Sequence, residues 1–238
     1  MIMNQTKITS TTKTENCLGP AESAVVQCLL YFDTFTYPLT LEEIYSYCSA
    51  KIHDEYMLEK VLRNLKNRNL IKQKNLYYFV NDDESIIERR LKGNHFAQKV
   101  MPKALRYGKL IARFPFVETV CISGSLSKNY FDENADVDFF IITKAQRLWL
   151  CRSLLVGFKK VFLLNSRKYF CVNYFVGVDN LNIPDRNIFT ATEIASLIPV
   201  SNVKGYSNFI AQNQWIYQHL PNFDLTKKIT ASSSTDHK

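Results

Sequence analysis

The chain has 238 residues and a net charge of +8, and its 46% hydrophobic and 22% charged residues are proportions typical of a soluble globular protein. A chain of this length has room for one large domain or two small ones. Its six cysteines form no C-x-x-C pair, and its four histidines are isolated from the cysteines and from one another. This pattern argues against a zinc site and favours a reducing, cytoplasmic setting.

The sequence predicts neither a secretory signal nor a membrane span. Met1 to Pro20 is polar and lacks the apolar core of a signal peptide. The most apolar stretch, Leu148 to Leu164, is interrupted by Arg152, Lys159 and Lys160, which fall near one another on a helical wheel. We therefore expect an amphipathic helix that packs against a sheet and leaves one edge in water.

Both ends of the chain are low in apolar residues. Residues 1–20 are rich in Thr and Asn, and residues 226–238 end in a tail rich in Ser and Thr. Such segments cannot bury enough apolar surface to offset the entropy lost on ordering, so we expect both to be disordered.

The next part of the chain predicts three short helices followed by a β-hairpin. The first predicted helix covers Ala21 to Phe32, and the third covers Asp54 to Arg68. The second begins at a capping box formed by Thr40. A turn at Lys74-Asn75 then separates two short strands, of which the second is aromatic and β-branched. This order of elements resembles a winged-helix domain, to which we assign residues 21–82.

Some winged-helix domains place their third helix in the major groove of DNA. Basic residues lie off the apolar face of the third predicted helix and beside the hairpin turn: Lys60, Arg63, Lys66, Arg68, Lys72 and Lys74. The same residues could equally form the solvated surface of a domain that binds only protein. The sequence leaves both interpretations open.

The positive charge is concentrated in one region. Residues Lys51 to Arg113 contain 15 Lys and Arg against 7 Asp and Glu, a surplus equal to the whole net charge of +8. Much of this surplus falls on a connecting helical segment, residues 83–113, in which we expect a break near Gly93 or Pro102. We predict a continuous basic surface here that contacts a nucleic acid or a protein.

The most informative stretch is CISGSLSKNYFDENADVDFFIIT, from Cys121 to Thr143. One apolar strand ends at Gly124-Ser125, and a second begins with Asp136 and Asp138, which are two residues apart and therefore share a face. Paired carboxylates repel each other and are typical of sites where a cation compensates them. A Gly-Ser turn offers a phosphate close backbone approach, free N–H groups and a hydroxyl donor.

This arrangement resembles the nucleotidyltransferase superfamily that includes DNA polymerase beta. Members share a strand ending in Gly-Ser or Gly-Gly, a connection of turn and short helix, and then a strand with Asp-x-Asp. Here ten residues separate Ser125 from Asp136. The resemblance implies a polymerase-beta-like domain over residues 114–225, with a mixed sheet and flanking helices, and therefore an α+β fold for the chain.

The resemblance also implies a reaction and a site. A nucleoside monophosphate would pass from an NTP, for example ATP, to the hydroxyl group of an unidentified acceptor. Asp136 and Asp138 would hold Mg²⁺, or Mn²⁺ in its place, against the phosphates. Gly124, Ser125 and Lys128 would bind the β- and γ-phosphates, although a lysine in a turn can also be only solvated.

One residue departs from the family pattern. Members usually carry a third carboxylate on a later strand, whereas the candidate strand here, Tyr169 to Val178, has Asn173 at its centre. The amide oxygen of Asn173 could still bind Mg²⁺, which would make Asn173 an auxiliary catalytic residue. It carries no charge, however, and cannot act as a base. Asp179, near the end of the strand, would reach the site only with a shifted register.

Three functions are compatible with the sequence. The Gly-Ser turn and the Asp pair favour a metal-dependent nucleotidyltransferase. Asn173 favours a non-catalytic nucleotide-binding or DNA-binding regulator. Modification of an antibiotic or another small molecule is the third.

Overall fold

The computed structural model describes residues 18–162 and 168–234, which form a mixed α+β structure with two small sheets. Disorder predicted for residues 1–17 and 235–238 lies outside the described residues. The helices are α1 (Pro20–Asp33), α2 (Leu41–Tyr47), α3 (Glu55–Asn67), α4 (Ser85–Ile111), α5 (Gly124–Ser127), α6 (Leu148–Phe162), α7 (Ile188–Ser196), α8 (Val203–Gln212), α9 (Ile216–His219) and α10 (Leu225–Ser234). The strands are β1 (Leu39–Thr40), β2 (Lys72–Lys74), β3 (Tyr77–Phe79), β4 (Val117–Ser123), β5 (Asp138–Thr143), β6 (Cys171–Gly177) and β7 (Ile198–Pro199).

The N-terminal part contains α1 to α3 and a small antiparallel sheet ordered β1–β3–β2. Its helices begin where the local chemistry satisfies free backbone N–H groups. The Thr40 hydroxyl accepts from the Glu43 N–H while the Glu43 carboxylate accepts from the Thr40 N–H, and Asp54 accepts from the Met57 N–H at 2.7 Å. Strands β2 and β3 form an antiparallel hairpin. The predicted capping box, third helix and hairpin are confirmed.

Helix α4 is a single helix of 27 residues. The break expected near Gly93 or Pro102 was therefore wrong. Pro102 is exposed, so water can satisfy the carbonyl group that loses its helical N–H partner. Gly93 has a packing role, because a Cβ there would overlap the ring of Tyr130.

The second sheet is ordered β6–β5–β4–β7, and both of its faces are covered. Strands β5 and β6 are parallel, whereas β4 pairs antiparallel with β5 and with β7. Val120 and Ile122 of β4 pack with α4 and α6, and Cys121 between them packs with α7 to α9. Strands buried on both faces explain the apolar runs that flank the Asp pair in the sequence.

The predicted amphipathic helix corresponds to α6, with residues 163–164 of that prediction outside the described part. Cys151 and Leu155 are buried against the sheet, while Arg152 is exposed. In the described ranges of the chain, no helix is both long and apolar enough to cross a membrane.

Polar contacts join the N-terminal part to the C-terminal helices. The side chain of Asn222, which is 6% exposed, accepts from the Ile52 N–H at 3.0 Å and donates to the Ala50 carbonyl at 2.8 Å. The Lys51 ammonium donates to the Pro221 carbonyl at 2.8 Å. A buried amide without partners would be costly, so these bonds fix how the two parts meet.

The prediction of a disordered tail from residue 226 was wrong for residues 226–234, because these residues belong to α10. Asp224 Oδ1 accepts from the N–H groups of Thr226 and Lys227 and so caps the start of the helix. Leu225 and Ile229 pack against the core around α7 and α8. Tertiary packing therefore orders a segment whose composition alone predicts disorder.

Several basic residues between Lys51 and Arg113 form ion pairs. The described pairs include Arg68–Glu22, Lys72–Asp82, Lys74–Glu84, Arg89–Asp132 and Arg90–Glu43. The two pairs at the hairpin are exposed and contribute little to stability. Helix α3 still exposes Lys60 and Arg63. A continuous basic surface that binds a nucleic acid or a protein stays a prediction.

Lys228 provides a pH-dependent test of how α10 docks. Its ammonium donates to the Ser196 carbonyl at 2.9 Å, and burial lowers its pKa from 10.5 to about 8. Below pH 8 the folded protein therefore holds a charged lysine at a cost. Between about pH 8 and 10.5 the unfolded chain binds more protons than the folded one, so stability rises with pH.

We expect Lys228→Met to raise the free energy of unfolding at pH 7 by on the order of 1 to 3 kcal/mol. The gain should shrink at pH 10, because the wild-type lysine is then largely neutral. Urea unfolding at both pH values measures the difference, with the exposed Lys204→Met as the control. An equal effect of Lys228→Met at both pH values would contradict the lowered pKa of Lys228.

Candidate functional site

The end of β4 and the start of β5 form the centre of the site. Ser123 pairs with Asp138, and the chain then turns at Gly124 into the short helix α5. Gly124 has a φ of +67°, and a Cβ there would lie 2.7 Å from Asp138 Oδ2. Because glycine alone fits this position without strain, the turn and Asp138 form one structural unit.

The structure brings the two predicted carboxylates together. Asp138 is the first residue of β5, Asp136 lies two residues before it, and both are partly buried. Val137 between them is fully buried, and its carbonyl accepts from the Cys171 N–H at 3.2 Å. Alternation in this extended segment directs both carboxylates away from the side that Val137 occupies.

Burial and neighbouring negative charges both disfavour the ionised form of Asp138. Burial raises the pKa of its carboxyl group, and the nearby Asp136 and Glu193 carboxylates raise it further. A hydrogen bond with the Cys171 thiol and the positive charge of Lys128 act in the opposite direction. Carboxylates crowded in this way favour a proton or a cation.

Lys128 lies at the end of α5 and contributes to the site. Its ammonium donates to Glu193 Oε1 at 2.8 Å and to the Gly124 carbonyl at 3.3 Å. Its side chain is only 14% exposed, so it is not the solvated turn residue of the alternative interpretation. Ser125 is exposed, and its carbonyl accepts from the N–H groups of Lys128 and Tyr130, which closes the turn.

Glu193 is a site residue that sequence reasoning missed. It lies in α7, which Asn187 caps by accepting from the Thr190 N–H at 2.9 Å. Strand β7 follows α7 and pairs with β4, and this pairing brings α7 against the glycine turn. No local signal in the sequence distinguishes Glu193 from an ordinary surface acid on an amphipathic helix.

The strand next to the Asp pair places a thiol beside Asp138. Cys171 is the register partner of Asp138, and the two side chains are hydrogen-bonded. The register shifts after Val172, which leaves Asn173 as the extra residue of a bulge, exposed beside the cleft. Asp179 lies beyond the opposite end of β6. The register therefore favours Cys171 over Asn173 as the neighbour of the pair.

Two cavities flank the glycine turn. A cleft of about 340 Å³ lies between β6 and α7, and the stacked rings of Phe140 and Tyr174, 5.4 Å apart, form one wall. A second cavity of about 270 Å³ lies between the turn and the N-terminal part. Gly124 and Glu193 line both cavities. The two cavities therefore lie on opposite sides of these residues, and both border the Glu193 carboxylate.

Asp136 and Asp138 suit a Mg²⁺ ion that shares its ligands with water and substrate. They are too few for a metal ion whose ligands are all protein side chains. Across residues 18–162 and 168–234, no group of three or more His, Cys, Asp or Glu side chains has the arrangement of a metal site. Mg²⁺ commonly takes one or two carboxylates and completes its shell with water and substrate phosphates. Asp136 and Asp138 provide such a pair, and burial, together with the neighbouring carboxylates, raises the pKa of Asp138.

Comparison with known proteins does not identify a family. The chain matches no family model, no curated protein and no solved structure. Its function is therefore inferred from the residues of the site.

The close approach of Gly124 to Asp138 can be tested with two glycine variants. Gly124→Ala introduces a Cβ that meets the carboxylate in a left-handed conformation, so we expect a loss of stability on the order of 1 to 3 kcal/mol. Gly157→Ala in α6 meets nothing within 4 Å and should be neutral or slightly stabilising. Urea unfolding compares the two, and equal effects would contradict the described geometry.

Proposed function

We propose that this protein is a Mg²⁺-dependent nucleotidyltransferase that transfers a nucleoside monophosphate from an NTP to an acceptor hydroxyl. The supporting observation is the contact between the Gly124 turn and Asp138, with Asp136 beside it and Lys128 behind the turn. This arrangement offers backbone and hydroxyl donors for phosphates next to a carboxylate pair for a cation. We further propose that the four-stranded part is polymerase-beta-like and the N-terminal part winged-helix-like.

Each residue of the turn and the pair has a role in this proposal. Asp136 and Asp138 would hold Mg²⁺, and the cation would neutralise the negative charge that develops on the phosphates. The exposed Ser125 hydroxyl donates to a β- or γ-phosphate oxygen, and Gly124 permits the phosphates to approach the backbone. Lys128 provides a positive charge close to the same oxygens. The acceptor oxygen then bonds to the α-phosphorus as pyrophosphate leaves.

We assign to Glu193 the removal of the proton from the acceptor hydroxyl. Its carboxylate lines the cleft and acts electrostatically on Asp138. Burial and the neighbouring Asp138 raise the pKa of the Cys171 thiol to about 11, so it stays protonated at neutral pH. Asn173 has no proton-accepting group of suitable basicity. Strand β6 has no carboxylate beside Asp138. In our proposal Glu193 therefore acts as the general base in place of that third carboxylate.

A non-catalytic nucleotide-binding or DNA-binding regulator is the second candidate. The observation that favours it is Cys171, because a thiol in place of a third carboxylate weakens the hold on a metal. For either function we propose a reducing, cytoplasmic setting, since the five described cysteines are free thiols.

The first test removes the charge of the carboxylate pair. Asp136→Asn combined with Asp138→Asn should abolish Mg²⁺-dependent binding of non-hydrolysable NTP analogues in calorimetry, because no charged ligand for the cation remains. Glu133→Gln, an exposed acid of the same loop, is the matched control and should bind as the wild type does. Unchanged binding by the double variant would falsify the proposed site. Labelled NTPs with a cell extract would then identify the acceptor.

The second test adds a carboxylate at the two candidate positions on β6. Cys171→Asp faces Asp138 in register, so it should lower the melting temperature without Mg²⁺ and regain stability when Mg²⁺ is added. Asn173→Asp lies on the exposed bulge and should show a smaller Mg²⁺-dependent change. Thermal melts with and without Mg²⁺ measure both. A larger response from Asn173→Asp would mean that Asn173, as the sequence suggested, holds the third ligand position.

A further inference from the structure

The second cavity at the site has an aromatic wall that the N-terminal part supplies. Tyr31 and Phe32 belong to α1, and Phe35 and Tyr37 lie in the connection from α1 to β1. The opposite wall is formed by the turn from Gly124 to Lys128 and by α7. The cavity therefore exists only because the two parts of the chain meet at the glycine turn.

We propose that this cavity binds the nucleobase of the nucleoside triphosphate, an inference that rests on the proposed function. A nucleobase is a flat ring with two π faces and a polar edge, and aromatic side chains bind such faces by stacking. The polar edge meets α7, where the Tyr31 hydroxyl is hydrogen-bonded with Thr192 and lies near the Glu193 carboxylate. These groups can exchange hydrogen bonds with ring nitrogens and exocyclic groups.

Charge decides which of the two cavities takes the nucleotide. Among the described residues that line the cleft, the charged ones are Asp185 and Glu193, both acidic. The second cavity shares Glu193 with the cleft but adds Ser125 and Lys128, the hydroxyl and the cation suited to phosphate. Since base and phosphates belong to one molecule, the base lies on the side of Lys128. The acidic cleft is then left for the acceptor, beside the proposed base Glu193.

Phe35 is the most accessible ring of the wall. It is 53% exposed, and its ring meets that of Tyr31 edge to face at 5.6 Å. Thr36 follows with a φ of 50°, and its hydroxyl accepts from the Arg89 guanidinium of α4. A large exposed ring presented by a fixed turn at a cavity is suited to stacking on a ligand.

The wall is also tied to the phosphate side of the site. The Tyr37 hydroxyl donates to the carbonyl of Lys128. A nucleotide that occupied both regions would contact the N-terminal part and the turn at once. Its base would therefore be held in a fixed position relative to the carboxylate pair.

The experiment separates base binding from phosphate binding in the full chain. Calorimetry with Mg²⁺ would use non-hydrolysable analogues of the four NTPs and, in parallel, inorganic tripolyphosphate, which has no base. Phe35→Ala should weaken binding of the preferred NTP analogue about tenfold, as expected for loss of one stacking ring, and leave tripolyphosphate binding unchanged. Phe35→Tyr should restore binding. Tyr56→Ala on α3, where the side chain is 73% exposed, is the control and should have no effect.

Two results would overturn the inference while the proposed function stands. One is NTP binding that needs Asp136 and Asp138 but does not change in Phe35→Ala. The other is an equal loss for tripolyphosphate, which would mean that Phe35 acts through the turn. If the wild type binds no triphosphate, the proposed function fails, and the same titration with free nucleosides decides the cavity. Nucleoside binding that requires Phe35 supports a base pocket, and its absence refutes one.

Discussion

The buried guanidinium of Arg90 is the constraint that holds the two sheets of this protein in a fixed relation. Arg90 lies on α4, is 3% exposed, pairs with the Glu43 carboxylate at 2.6 Å and lies 3.7 Å from the centroid of the Tyr37 ring. Removal of either partner of a buried ion pair leaves an uncompensated charge, at a cost of about 3–5 kcal/mol. Because α4 also packs on β4, the same helix positions the N-terminal part and the strand that ends at the glycine turn.

The constraint reaches the candidate site through two tyrosines. The Tyr37 hydroxyl lies within hydrogen-bond distance of both the Glu43 carboxylate and the Lys128 carbonyl. The Tyr130 ring lies directly on Gly93 of α4, and the next residue along the chain donates its N–H to the Gly93 carbonyl at 3.1 Å. The segment between the glycine turn and the Asp pair is thus held from behind by α4. Donors and carboxylates fixed in this way need little reorganisation when a ligand binds.

Sequence reasoning succeeded where the chemistry is local and failed where it depends on distant pairing. The capping box at Thr40 and the glycine turn before the Asp pair each follow from a few neighbouring residues, and the structure has both. The bulge at Asn173 arises only when β6 pairs with β5, and a shift of one residue changes which side chain faces Asp138. Glu193 reaches the site only because β7 pairs with β4. Helix α10 is ordered by the core that it covers, which composition cannot reveal.

The crowded carboxylates of the site cost folding free energy, and this cost supports the proposal that they bind a ligand. Among the described residues, the charges that act on the Asp138 carboxylate are those of Asp136, Glu193 and Lys128, and their sum is negative. Burying Asp138 among like charges costs folding free energy, as its raised pKa indicates. An asparagine could make a hydrogen bond to the Cys171 thiol without that cost. A carboxylate is therefore unfavourable here in the free protein, and the divalent cation that we propose, bound with its phosphates, would compensate its charge.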